Sequence, residues 1–173
     1  MTPTQELTGE WVLDPSRTTV SLLSKSMGVV KVKGSFGQVN GEGTITTAGQ
    51  VGGTLTVAAA SIDTKNPKRD KHLRSADFFD SDNYPDITFT VAGIEPSGQD
   101  VTVTGTLRIR GRERSLTFDG TAAVPGDGEV WLDAAVVINR ADFGLTWNLL
   151  GMASMISTLT IHAVFARRAS RAQ

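Results

Sequence analysis

Apolar and polar residues alternate with a period of two along most of this chain. The cleanest run is residues 101–110, where Val101, Val103, Leu107 and Ile109 alternate with Thr102, Thr104, Thr106 and Arg108. Successive side chains of a strand point to opposite faces, so one face of this run is dry and the other wet. Ile87, Phe89 and Val91 repeat the alternation before it, and Leu116 and Phe118 after it. Residues 18–24, 29–36, 43–47, 53–60, 130–139 and 157–166 read the same way, which predicts about nine strands. Asn40-Gly41, Pro96-Ser97-Gly98 and residues 125–128 carry the residue types that reverse a hairpin, and all six prolines fall outside the segments. The fold class is therefore mainly β. An antiparallel meander of this many strands removes its exposed edges by closing, so we expect a single antiparallel β-barrel of about eight to nine strands.

One stretch breaks the pattern. Residues 61–89 read SIDTKNPKRDKHLRSADFFDSDNYPDITF, with Arg69, Asp70, Lys71, His72 and Arg74 packed together and Phe78 and Phe79 just after them. Asn66 suits a helix N-cap and Pro67 the first helical position. These features predict a short helical insert over about residues 66–80, lying beside the sheet and plugging one end of the barrel.

Composition narrows the picture further. Threonine and valine supply 37 of the 173 residues, and both are β-branched. A chain of this length buries a core without metal or disulfide support, which predicts one domain over residues 11–166 with flexible tails at 1–10 and 167–173. The net charge of -1 supplies no field for nucleic acid. With no cysteine, disulfides and thiol chemistry are excluded. The first eleven residues are polar where a signal peptide needs a basic start and an apolar run, so a cytoplasmic location is expected. No window reaches the length and apolarity of a transmembrane helix.

Candidate chemistry is sparse. His72 and His162 are the only histidines, too few with no cysteine for a zinc site, so no metal and no cofactor are expected. His162 lies in a strand pattern, where a satisfied imidazole is the plain reading. His72 is close in sequence to Asp63, Asp70 and several hydroxyls, which leaves a hydrolytic triad open. Asp77, Asp80 and Asp82 match a calcium loop by composition alone, because a loop begun at Asp80 puts Pro85 where glycine is needed. Arg108, Arg110, Arg112 and Arg114 share a face if their strand runs through, and could then grip a phosphate; the favoured reading makes Gly111 to Arg114 a solvated hairpin turn. Residues 143–156 gather Phe143, Leu145, Trp147, Leu149, Leu150, Met152, Met155 and Ile156. This run is a capping connection, a cavity lining or a subunit interface.

Several of these residues together resemble one family. Trp11-Val12-Leu13-Asp14, Ser61-Ile62-Asp63-Thr64, Arg69-Asp70, His72-Leu73, Asp77-Phe78-Phe79-Asp80, Tyr84-Pro85 with Phe89, Gly105-Thr106-Leu107, Arg140 and Asp142-Phe143-Gly144 are similar, in this order, to the YceI-like family. The resemblance implies a lipocalin-like barrel with a short helix, often dimeric, that holds a long isoprenoid or similar amphiphile. Period two assigns Val20, Leu22, Val57, Ile87, Phe89, Leu107 and Phe118 inward, closed by Phe78 or Phe79, with Phe143, Trp147 and Met155 as further lining candidates. Arg69, Arg74 and Arg140 are candidates to hold a headgroup, and Asp63, Arg69, Asp70, Arg140 and Asp142 candidates for ion pairs that anchor the helix. We therefore expect a non-enzymatic binding or carrier protein for an apolar chain-like ligand, acting as a homodimer. The alternatives are a filled β-domain acting in protein interaction or stress response, and a lipid-modifying enzyme that uses His72.

Overall fold

The computed structural model describes residues 7–26, 30–126, 128–145 and 153–168. Trp147, one of the lining candidates, lies outside them. Among the described residues, eleven strands join in one antiparallel sheet: β1 (Gly9–Leu13), β2 (Thr19–Ser26), β3 (Val30–Phe36), β4 (Val39–Ile45), β5 (Val51–Ala58), β6 (Ile62–Asp63), β7 (Asp86–Ser97), β8 (Asp100–Ile109), β9 (Arg112–Ala123), β10 (Glu129–Asn139) and β11 (Ala153–Arg167). Eight of them close a ring in the order β1-β4-β5-β7-β8-β9-β10-β11, because β11 returns to pair with β1. The mainly β, closed antiparallel barrel expected from the alternation is thus the observed fold.

Closure depends on the length of β11. Its residues 165–167 pair with β1, while residues 153–162 pair with β2 further along the same edge. The chain from β1 to β2 is one bent edge, broken where Asp14 Oδ1 accepts hydrogen bonds from the Ser16 backbone and hydroxyl at 3.0 and 2.7 Å. That bonding holds the Asp14 carboxyl below its ordinary range. β3 leads into β4 through a similar break, so β2 and β3 splay from the ring and carry the short β6.

The helix α1 (Pro67–Arg74) occupies the space beside β6. Asn66 caps it, its side chain accepting from Arg69 N at 3.1 Å, and Pro67 stands in its first turn, as the sequence predicts. It ends earlier than residue 80, since Ser75 turns to an extended backbone and gives its N–H to His72 O. Phe78 and Phe79 follow in turns. Phe79 N donates to Leu73 O at 2.9 Å, and the Phe79 ring packs edge-on against Phe78 and Phe36 at 5.2 and 6.0 Å. The insert therefore closes one end of the barrel, here called the helix end. The connections at 46–50, at 98–99 and between β9 and β10 mark the opposite end.

Three local expectations are corrected. Asn40-Gly41 is no turn but lies within β4, paired with Thr56 and Leu55, and a Cβ on Gly41 would stand a tight 3.2 Å from both Leu13 Cβ and Thr54 O. Pro96 lies inside β7, opposite Val101, which is tolerated because pairing with β5 ends at Val91 and leaves that flank of β7 without a ladder partner. The β8–β9 turn is Arg110-Gly111 alone, both at positive φ, and Arg112 already starts β9. Arg110 Nη1 donates to Phe78 O at 3.0 Å and ties the hairpin to the insert.

Candidate functional site

Inward-facing residues do not all meet one another. Leu22, Leu55, Phe89, Leu116, Phe118, Leu159 and Ile161 point into the barrel yet stay only partly buried, because what they face is space. That space is a cavity of about 240 Å³ in the helix half of the barrel, with Val20, Leu22, Val57, Ile87, Phe89, Leu107 and Phe118 on its wall and Phe78 and Phe79 at its closed end. The seven wall residues are those that period two points inward, and both phenylalanines, where one or the other was expected, stand at the closed end. Phe89 and Phe118 tilt against each other at 5.5 Å. Gly105 makes room for that pair, since a Cβ there would stand 2.6 Å from Phe89 Cζ. Phe143 is 1% exposed and packs in the core instead of on the wall, and Met155, though half-buried, does not border the cavity.

The helix end of the cavity is polar. Arg69, His72 and Arg140 border it, together with Thr64, Ser24 and Ser157. Arg74 does not, although it is a headgroup candidate. Arg69 and Asp70 are joined through Thr64 and not by an ion pair: Asp70 Oδ1 accepts from Thr64 N at 2.9 Å and Oγ1 at 2.5 Å, while Arg69 Nε donates to Thr64 Oγ1 and Nη2 to Thr64 O, each at 2.8 Å. Asp63 instead binds Lys65, whose backbone N–H lowers the Asp63 carboxyl below its ordinary value. Arg140 sits in a 3-10 turn (Arg140–Phe143) whose Asn139 cap bonds Ala141 N. Arg140 is 4% exposed, and its guanidinium donates to Leu145 O at 2.7 Å and stacks over the Phe78 ring at 5.3 Å. Burial pushes its pKa down. His72 Nε2 meets Asp77 Oδ2 at 3.2 Å, so its carboxylate neighbour is neither Asp63 nor Asp70. Among the described residues no group of three His, Asp or Glu side chains converges as metal ligands would.

Sequence reasoning missed much of the wall. Val136, Ile138, Leu159 and Ile161 line the cavity, and the Ser24 and Ser157 hydroxyls face each other within it at 2.6 Å; Leu145, from the apolar run for which a cavity lining was one reading, lines it as well. The alternation of residues 157–166 holds the signal for Leu159 and Ile161. His162 points the other way, its Nδ1 2.6 Å from Asp133 Oδ1 on the outer face.

A second cavity, about 560 Å³, fills the hairpin half of the barrel. Trp11, Val91, Val101, Ala122, Val130 and Phe165 line it. In the sheet register Trp11 stands opposite Gly43, and Gly43 opposite Gly53, so two inner positions beside the indole carry no side chain. Gly53 has no choice, since its Cβ would meet Glu42 O at 2.5 Å.

A closed antiparallel barrel with a helix plug and an apolar interior is lipocalin-like in architecture. The model of the YceI-like domain matches residues 11–165, and the chain belongs to the YceI-like family. It is 36% identical over 146 residues to UPF0312 protein SAS2572 of Staphylococcus aureus, covering 80% of this chain and 83% of that one. Among solved structures, BcnA of Burkholderia cenocepacia superposes with a TM-score of 0.80 at 25% identity, covering 88% of this chain and 98% of its own. A polyisoprenoid binding domain from Saccharophagus degradans implicated in plant cell wall breakdown shares the fold, with a TM-score of 0.77 at 19% identity over 91% of this chain and 98% of that one. No helix among the described residues is long and apolar enough to cross a membrane.

Proposed function

We propose that this protein is a non-enzymatic binding protein that holds an apolar, chain-like amphiphile, an isoprenoid or a similar lipid, inside the barrel. The observation that carries this reading is the cavity of the helix half: its wall is hydrocarbon from most of the barrel strands, and its closed end presents Arg69, His72 and Arg140. An apolar wall takes the chain, and guanidinium and imidazole donors suit the oxygen-rich end of an amphiphile. Membership of the YceI-like family supports the same reading.

Ligand that binds the folded barrel and not the open chain stabilises it by mass action, by about 2.7 kcal/mol at a hundredfold excess over Kd. For a domain of this size each kcal/mol moves Tm by about 2–4 °C. Protein stripped by organic extraction should therefore melt roughly 5–10 °C below protein resaturated with geranylgeranyl phosphate. A mass spectrum of the extract should contain an isoprenoid or other long-chain lipid. If Tm is indifferent both to extraction and to the added isoprenoid, the carrier reading fails and the filled-barrel alternative replaces it.

A further inference from the structure

The two cavities lie end to end in one barrel, and among the described residues Leu55 alone borders both. It sits mid-strand in β5, between Gly41 of β4 on one side and Phe89 of β7 on the other. Leu13, 3% exposed, packs against Gly41 in the same layer. Gly41 has no side chain to narrow the lumen, so on the β4-β5-β7 side of the barrel Leu55 and the Phe89 ring are what project into it at this level. Leu55 is only partly buried, with its side chain against open space rather than locked in the core.

The volumes give this passage a meaning. A 150 Å³ apolar cavity takes one benzene, or about 25 Å³ per carbon. On that scale the 240 Å³ chamber holds about 10 carbons and the 560 Å³ chamber about 22. The chemistry of the chambers differs as well. Cationic side chains border the first, whereas the second is walled mainly by apolar side chains and backbone, and the carboxylate of Glu42 beside it turns outward to Arg168. An amphiphile with its headgroup at the helix end thus has an apolar route toward the hairpin end, and that route passes Leu55.

We propose that Leu55 sets the chain length this protein accepts: ligands of up to about ten carbons stay in the helix-end chamber, and longer chains must displace Leu55 to place their tails in the hairpin-end chamber. This rests on the amphiphile reading of the helix-end cavity. Interiors are close-packed, with few voids larger than a water, so two apolar chambers met at one leucine are built to be filled, and that leucine decides whether they fill together. Small side chains keep the second chamber open, Gly43 and Gly53 on one wall and Ala122 on another.

The test compares geranyl phosphate with geranylgeranyl phosphate by calorimetric titration on the full chain, wild type and Leu55→Trp. Wild type should bind both, the longer more tightly. Leu55→Trp should weaken geranylgeranyl phosphate by about a hundredfold or more, because its second ten carbons lose their burial, and should weaken geranyl phosphate far less. Ala122→Phe, which fills the second chamber far from Leu55, should show the same selective loss, and keeps the test decisive if the tryptophan variant does not fold. Equal affinity of either folded variant and wild type for the longer chain overturns the role of Leu55. Failure of both phosphates to bind wild type is a separate result: it removes the amphiphile reading and this inference with it.

Discussion

Gly105 is the position where one methyl group should do most harm. It lies in β8 between Val91 of β7 and Leu116 of β9, and its backbone is not in the left-handed region, so alanine is conformationally allowed there. Space is the obstacle. An added Cβ would stand 2.3 Å from Thr90 O, 2.6 Å from Phe89 Cζ and 3.0 Å from Phe89 Cε1. The ring can swing, but it then leaves Phe118, an aromatic contact worth about 0.5–1.5 kcal/mol. The carbonyl can move only if the β7–β8 ladder opens, and overpacking of this kind costs about 1–3 kcal/mol. Together Gly105→Ala should destabilise by about 2–4 kcal/mol, which in a domain of this size lowers Tm by roughly 5–15 °C. Circular dichroism melts of stripped protein would measure it. Gly37→Ala is the control: a Cβ there meets nothing within 4 Å, so Tm should stay within about 2 °C. Adding Phe89→Leu to Gly105→Ala should restore part of the loss by removing the ring and leaving the carbonyl clash. A Gly105→Ala protein that melts within 2 °C of wild type would show that the ring does not lie over this glycine.

Two further predictions concern the wall and the outside of the barrel. Ser24→Ala or Ser157→Ala alone removes the hydroxyl that the other is bonded to inside the barrel and should cost about 1–3 kcal/mol, while the double variant costs less than the sum; additive losses in denaturant melts would show that the two hydroxyls are not bonded. On the outer face of β10 and β11, Val137 is 63% and Ile156 48% exposed, which favours the expected homodimer. Light scattering should report twice 18.4 kDa, with Val137→Lys shifting the protein toward monomer; wild type found only at 18.4 kDa refutes the assembly.

The fold was legible because most ring strands carry their own signal. Residues 101–110 alternate without a fault and form β8 nearly as bounded, and Asn66-Pro67 starts its helix by a mechanism local to four residues. What was hidden depended on neighbours distant in sequence. The Asn-Gly pair at 40–41 is the strongest short hairpin signal available, yet Gly41 answers to Leu13, from a strand twenty-eight residues earlier. Pro96 argues against a strand until it is known that β5 stops pairing at Val91. β1 escaped notice because five residues, with Gly9 at positive φ, show too little alternation to be told from a tail.

The site was harder to read for a different reason. Parity tells inside from outside only where one face is polar. In Ala135-Val136-Val137-Ile138 both faces are apolar, so nothing in the order of residues says that Val136 and Ile138 line the cavity while Val137 faces outward. Nor does parity separate wall from core. Leu13 and Leu55 both face inward at one level of the barrel, yet Leu13 is sealed in the core and Leu55 borders two chambers. The difference lies in what the sheet register sets beside them: glycines at 43 and 53 remove side chains from the layer toward the hairpin end, where Trp11 then has space to border. A lumen of this kind is written in the small residues as much as in the large ones. Searching strand patterns for glycine and alanine at inward parity, opposite one another across a predicted pair, is the signal that locates it.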